Sequence, residues 1–263
     1  MRYYTVSDPH GHFSLMKKAL KESGYFSDDS QKKLIICGDL FDRGGEAIEM
    51  QNFIVDLLSR NEVILIRGNH ELLIEKLAED LPFYTAGDYR FNHHFLNGTF
   101  STAFQLTGFK EDGLEVYPKR LALALKNTPL FKKILPACVN YFETDKFVFV
   151  HGYIPCFAKK SPLGYYGYKY LPDWRNALQK DWDDAVWYNG MEASRADLYN
   201  VTEPNKTIIC GHYKASYGHS TLENKGRESG ENADYTPYYG NGIIAIDACT
   251  VQSGFVNCIV LED

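Results

Sequence analysis

Five short apolar runs recur along the chain, and each ends in the same kind of polar signature. Tyr3–Ser7 leads into Asp8-Pro9-His10-Gly11-His12, and Leu34–Cys37 into Gly38-Asp39-Leu40-Phe41-Asp42-Arg43-Gly44. Val63–Ile66 leads into Arg67-Gly68-Asn69-His70-Glu71, Phe147–Val150 into His151-Gly152, and Thr207–Cys210 into Gly211-His212. Short continuous apolar runs beside Gly suit strands covered on both faces. Helical spacing fills the gaps. Phe13, Leu15, Met16, Ala19 and Leu20 predict a helix over Phe13–Ser23, closed by Gly24. Ala47, Met50, Phe53, Ile54, Leu57 and Leu58 form one apolar stripe over Glu46–Arg60, and Glu71–Leu81 predicts a third helix ended by Pro82. The first 75 or so residues therefore read β-α-β-α-β-α, which implies right-handed crossovers and largely parallel strands.

Residues 81–146 break this rhythm. Leu121–Leu125 and Leu130–Leu135 predict short helices, while Tyr89–Phe104 is aromatic and polar without a clean period. The region reads as a helical cap, where substrate choice commonly resides. No chemistry-bearing motif falls in Tyr89–Phe104. The adjacent His93 and His94 read as surface residues rather than ligands, as do His12 and His219. Phe142–Asp145 and Lys146–Val150 restart the sheet. Residues 154–206 are rich in Tyr and Trp (Tyr165, Tyr166, Tyr168, Tyr170, Trp174, Trp182, Trp187, Tyr188), most of them read as cover for the sheet edge. Gly218–Gly242 reads as a flexible loop. Ile243–Asp247 and Gly254–Leu261 read as a closing strand hairpin. No internal repeat appears, so one α/β domain with insertions at about 81–146 and 154–206 is expected.

Bulk properties narrow the function. The 263 residues suffice for a full core, and 44% hydrophobic with 24% charged residues is ordinary for a soluble globular chain. A net charge of −6 disfavours non-specific binding to nucleic acid or anionic membranes. MRYYTVSD enters a strand with no signal-peptide apolar region, and no apolar run approaches the ~20 residues of a membrane span. The six cysteines contain no CxxC. They read as buried thiols of a reducing, cytoplasmic compartment rather than a disulfide or zinc framework.

The strand ends carry the chemistry. Open α/β sheets place ligands beyond the carboxyl ends of their strands. An Asp there can also be a helix N-cap, and on Leu34–Gly44 alone the two readings balance. Recurrence tips them. Asp8, His10, Asp39, Asn69, His151 and His212 offer hard oxygen and imidazole nitrogen without thiolate, a mixture suited to Mn, Fe or Zn. Six ligands exceed one tetrahedral ion, whereas two ions sharing a carboxylate use them all.

DPHG, GDLFDRG, RGNHE, the strand-borne His151 before Gly and the later GH occur in an order that resembles the serine/threonine phosphoprotein phosphatase family of metallophosphoesterases. Ile246–Ala248 looks like that family's final strand. The resemblance spans Asp8 to His212 and is weak over 81–146 and 154–206. It implies a calcineurin-like α/β/β/α sandwich of mixed sheets and two divalent ions, Mn first. Asp39 would bridge them, with Asp8 and His10 on one ion and Asn69, His151 and His212 on the other. It implies His70 as general acid, Asp42 as its carboxylate partner and Arg43 as a phosphate clamp, with Asn69 also facing substrate. Arg67 would contact phosphate or brace the site. The family's further arginine after a Trp is missing from AVWYNG, where Asn189 stands, and Arg195 is a candidate replacement. The implied activity is phosphomonoester hydrolysis, phosphoserine or phosphothreonine in proteins included. The alternatives are a dinucleoside tetraphosphate hydrolase and a non-enzymatic phosphate-binding module, the latter disfavoured by the complete ligand and acid set.

Overall fold

The fold is taken from a computed structural model that describes residues 1–160 and 166–263. Period-2 alternation in the first strands settles the layers. In β1 (Arg2–Val6), Tyr4 and Val6 point to one face and Tyr3 to the other. After α1 (Phe13–Glu22) comes β2 (Lys32–Cys37), where Leu34 and Ile36 alternate with Ile35 and Cys37. After α2 (Ala47–Ser59) and β3 (Val63–Ile66), α3 (Asn69–Asp80) begins two residues before the predicted helix. Asn69 and His70 thus sit in its first turn. The cap follows as α4 (Asn92–Asn97), α5 (Thr99–Thr107) and α6 (Pro118–Lys126).

Next come β4 (Cys138–Val139), β5 (Phe142–Glu143), β6 (Phe147–Phe149), β7 (Cys156–Lys160) and β8 (Tyr166–Tyr170). They are followed by α7 (Gln179–Ala185), α8 (Gly190–Ala193), β9 (Thr207–Cys210), β10 (Tyr238–Gly240), β11 (Ile243–Ala245), α9 (Thr250–Ser253) and β12 (Cys258–Glu262). One sheet runs β12-β1-β2-β3-β4 and a second runs β10-β11-β9-β6-β5. The β1–β2, β2–β3 and β6–β9 pairs are parallel.

Tyr3, Ile35, Cys37 and Ile66 of the first sheet meet Phe149 and Ile209 of the second, with Ile246 just past β11, in an apolar middle layer. The other face of the first sheet packs against α1–α3 and the cap helices. The outer face of the second is covered by Tyr168, Trp174 and Trp182. Each fully buried Ile or Leu in these layers contributes roughly 1.5–3 kcal/mol relative to exposure. The covering role read for the aromatic insertion holds for these three; Tyr165 and the side chain of Tyr166 lie outside the described residues.

Three sequence expectations give way. β11 and β12 do not form a hairpin: β12 pairs antiparallel with β1, and β11 pairs with β10 and β9 in the other sheet. Alternating apolar residues mark both as strands but carry no record of which sheet each joins. Gly218–Gly242 is not loop throughout, because Tyr238–Gly240 forms the edge strand β10. His94 and His219 are buried rather than on the surface. His94 packs beside Phe91 and Phe100, and His219 bonds the Glu223 carboxylate and the Thr236 carbonyl. Among the described residues no helix is long and apolar enough to cross a membrane.

Candidate metal centre

The loops that leave β1 and β2 are zipped together by backbone bonds from the amides of His10 to the Asp39 carbonyl and Gly11 to the Leu40 carbonyl, 3.0 and 2.9 Å. The chain here is held in left-handed conformations at Asp8, His10, Asp39, Asp42 and Arg43, with φ between 45° and 71°. Among the described residues the other non-glycine positive φ angles are at His212, Cys249 and four asparagines. Such conformations cost about 1–3 kcal/mol each and persist where surrounding structure over-determines them. Here Glu71 does so. Its buried carboxylate accepts the amides of Gly68, Asp39 and Leu40 at 2.8–3.0 Å. Gly38, at φ +81°, is required for a second reason: a Cβ there would collide with the His151 ring and the Gly68 backbone.

Among the described residues two three-residue groups have ligand atoms within 4.8 Å of one another: Asp39, His151 and His212, and His10, Asp39 and His70. Asp39 belongs to both. In the first, the Asn69 Oδ1 lies 2.8 Å from His151 Nε2 and 2.9 Å from His212 Nδ1, and Asp39 Oδ1 lies 3.4 Å from His151 Nε2. His151 Nδ1 faces the Cys37 carbonyl at 2.8 Å, which places its proton there and leaves Nε2 as a lone pair. The His151 Nε2 lone pair then faces the Asn69 and Asp39 oxygens with no proton between them, an arrangement a cation relieves. Atoms about 3 Å apart match neighbouring ligands on an ion with bonds of about 2.1 Å.

In the second group His10 Nε2 lies 3.7 Å from Asp39 Oδ2, with Nδ1 anchored to the Phe41 carbonyl at 3.2 Å. Arg43 reaches His10 Nε2 at 3.0 Å and His70 Nε2 at 3.1 Å. Asp8 takes the His212 amide on Oδ2 at 3.0 Å and adjoins Asp39 and Asp247 in charge.

Burial pushes the Asp8 carboxyl well above its usual range, with Asp247 adding to it, and likewise Asp39, with Asp8 and Glu71 adding. Burial depresses His10 and His151, and takes His212 down to about 4. Crowded carboxylates and neutral imidazoles in one buried place are what a divalent cation compensates, so the donor set fits divalent metal.

His70 differs from its neighbours. Its Nδ1 donates to Asp42 Oδ2 at 2.7 Å, and both side chains are about 1% exposed. Asp42 is held in turn by two hydroxyls of the cap, Thr99 on Oδ2 at 3.0 Å and Thr102 on Oδ1 at 2.7 Å.

A cavity of about 140 Å³ opens over these groups, lined by His10, Asp39, Arg43, Asn69, Asn97, Trp187, His212, Asp247, Cys249, Thr250 and Val251. A larger hollow of about 470 Å³ lies by Met1, Arg2 and Asp263, away from the ligand cluster, so size does not locate the chemistry. Two arginines are elsewhere engaged. Arg67 forms a forked pair with Glu75 at 2.9 and 3.2 Å, the bracing arrangement. Arg195 pairs with Asp197 at 3.0 Å and lines a different hollow with Thr221 and Tyr238. Asn189 caps α8 through the Glu192 amide. Trp187 stands half-exposed on the cavity rim, its ring 5.9 Å from His212.

Sequence reasoning missed Asp247, Glu71, Thr99 and Thr102. Asp247 follows the apolar run Ile243–Ile246 as Asp8 follows its own, so the same strand-end rule finds it. Burial raises it to about 6.

Residues 1–223 match the calcineurin-like phosphoesterase family. The chain belongs to that family. The calcineurin-like architecture of mixed sheets flanked by helices is therefore shared, and so is membership of the metallophosphoesterase hydrolases, which act on phosphate esters and typically bind divalent metals. Curated relatives match over shorter stretches. A symmetrical bis(5'-nucleosyl)-tetraphosphatase of Buchnera aphidicola is 38% identical over 72 residues, 27% of this chain and 25% of its own. An asymmetrical bis(5'-nucleosyl)-tetraphosphatase of Bacillus velezensis is 30% identical over 76 residues, 27% of this chain and 30% of its own. The matched region thus spans about a quarter of the length of these relatives.

Among solved structures, a cold-active protein tyrosine phosphatase aligns with a TM-score of 0.51 at 16% identity, covering 99% of this chain and 73% of that one. A protein serine/threonine phosphatase of Saccharomyces cerevisiae aligns at 0.50 and 12% identity, covering 100% and 80%. At such identities these two speak for the fold.

Proposed function

We propose that this calcineurin-like phosphoesterase is a phosphatase of phosphomonoesters, with phosphoserine and phosphothreonine of proteins within its range. The observation that carries the reading is the buried His70–Asp42 pair at 2.7 Å, facing the same space as Arg43 and Asp39. Asp39, Asp8 and His10 would hold one divalent ion and Asp39, Asn69, His151 and His212 a second, Mn suiting the O and N donors. Bound there, the ions would lower the pKa of a water and neutralise charge on the phosphoryl oxygens.

The protein's own groups do the rest. Arg43 offers a planar fork to two phosphoryl oxygens. Contact with phosphate draws it from His70 Nε2, which is then free to carry a proton. As the water oxygen bonds to phosphorus and the ester P–O bond breaks, His70 Nε2 delivers that proton to the leaving oxygen. Asp42 keeps the proton-bearing edge of the ring aligned and stabilises the imidazolium. Neither Arg67 nor Arg195 enters this scheme, because each is paired outside the cavity. The reading takes residues 1–263 as one catalytic domain, and the six free thiols support a reducing, cytoplasmic setting.

A second reading is supported by the relatives: a dinucleoside tetraphosphate hydrolase, since stretches of 72 and 76 residues match two such enzymes. The test is a side-by-side assay of a phosphoserine peptide, small aryl phosphate and dinucleoside tetraphosphate on chelated protein reloaded with Mn. The first reading predicts loss of activity on chelation, recovery with Mn, and the monoesters cleaved with higher kcat/KM. Preference for the dinucleotide supports the second reading, and full activity with less than one metal per chain contradicts both.

A further inference from the structure

The cap is tied to the acid pair at atomic distance. Asp42 Oδ2 receives both His70 Nδ1 at 2.7 Å and the Thr99 hydroxyl at 3.0 Å, and Oδ1 receives the Thr102 hydroxyl at 2.7 Å. The Thr102 oxygen also accepts the Asp42 amide at 2.9 Å, so the hydroxyl proton has only the carboxylate to go to. Both threonines are wholly buried and Asp42 is 1% exposed. Without these bonds a buried carboxylate would keep one partner and be free to rotate about its Cβ–Cγ bond. The junction of α4 and α5 is fitted to the same loop. Gly98, at φ +81°, brings the cap against the Arg43 backbone where a Cβ would collide. Asn97, Gly98 and Thr99 thus touch the cavity, the Arg43 backbone and the Asp42 carboxylate in succession.

We propose that Thr99 and Thr102 are positioning residues of the reaction: from α5 of the cap they fix Asp42 in the orientation that presents His70 to the leaving oxygen. The inference rests on the reading of His70 as general acid. It gives the cap a share in the chemistry in addition to a surface for substrate. A cap displaced by a fraction of an ångström would then weaken acid catalysis while leaving the metal ligands where they are.

The test compares a phosphoserine peptide with para-nitrophenyl phosphate on full-length, Mn-loaded protein, with bound metal measured alongside. Thr99→Val/Thr102→Val keeps the side-chain shape and removes both donors together with the acceptor of the Asp42 amide. It should lower kcat on the peptide by about 10–100-fold, a part of the usual worth of a general acid, and on the aryl ester by no more than about threefold. Thr99→Ser/Thr102→Ser, which restores the hydroxyls, should recover most of the loss. If the double valine variant does not fold, Thr99→Val alone removes only the donor on the oxygen shared with His70 and should give the same ordering. Equal losses on both substrates with metal retained, absence of loss, or failure of serine to rescue would overturn the proposal. His70→Asn run in parallel separates the two layers. If it shows the leaving-group dependence and the threonine variants do not, the positioning role falls alone. If it shows none, the acid reading falls and takes the positioning role with it.

Discussion

Three buried carboxyls, Asp8, Asp39 and Asp247, and three imidazoles, the buried His10 and His151 and the half-buried His212, are displaced from their ordinary titration ranges in opposite senses. Burial raises the carboxyls, Asp247 to about 6, and lowers the imidazoles, His212 to about 4. For a carboxyl raised on folding, stability is fully present below the unfolded value near 3.9 and is lost as pH rises through the folded value. For an imidazole lowered on folding, stability is present above about 6.5 and is lost as pH falls through the folded value. The metal-free protein is therefore penalised from both sides. Protons compete with a divalent ion at the candidate ligands among them, Asp8, Asp39, His10, His151 and His212, so metal stabilisation would grow with pH. The difference in Tm between Mn-loaded and chelated protein should widen from about pH 5 to about pH 8. A difference independent of pH would contradict the ligand assignment.

At the scale of elements, the cap and the aromatic insertion prove to be fastened by specific polar clusters. Deleting the tip of Tyr89–Phe104 would, on the sequence pattern alone, alter KM and substrate ranking and spare turnover of a small aryl phosphate. Thr99 and Thr102 lie inside that stretch and hold Asp42. The structure adds an expectation: kcat on alkyl phosphates falls as well, while aryl phosphate turnover persists in the folded, metal-loaded variant. Loss of aryl turnover by many orders would place a different function in the cap.

On the opposite side Arg175 links Glu143 of β5, at 2.8 and 2.5 Å, to Glu203 at 2.8 Å, with Lys206 adding a 2.6 Å contact to Glu143. These bonds, that from Arg175 first, depress Glu143 from 4.5 to about 2. A depressed carboxyl contributes stability above the unfolded value and loses it as pH falls through the folded one. Glu143→Gln should cost about 1–3 kcal/mol in urea denaturation at neutral pH. The gap should narrow below about pH 4.5, as the unfolded chain's Glu143 takes up its proton. A gap constant down to about pH 3 would show that charge is not the cause.

For the whole molecule, two sheets face each other and send the carboxyl ends of β1, β2, β3, β6 and β9 to one place. This much was legible in the sequence, because each strand end repeats an apolar run, a Gly and a ligand-type side chain. The six candidate ligands could be named for that reason, while the sandwich of two sheets and the roles of His70 and Asp42 were implied by the family resemblance that the motifs carry. What was not legible is long-range. Nothing local in Ile243–Leu261 tells β11 and β12 which sheet to enter. Thr99 and Thr102 have no signature until folding sets them against Asp42, about 60 residues away in sequence. Arg195 stands near the expected sequence position, yet its guanidinium is spent on Asp197. His94 lies in a polar stretch but on the inward side of a short helix, where position in the turn outweighs residue type.

In the proposed reaction His70, beside the candidate metal ligands, supplies the leaving-group proton. The most direct measurement is kcat for His70→Asn on a phosphoserine peptide and on para-nitrophenyl phosphate, with metal content determined on the same samples. Metal content should stay close to that of the unaltered protein, with turnover of the peptide down by roughly 10²–10⁴ and a much smaller loss on the aryl ester, whose leaving group hardly needs a proton. Equal losses on both substrates would contradict the acid role. Loss of metal would make His70 a ligand, as its place in the His10–Asp39–His70 group also permits.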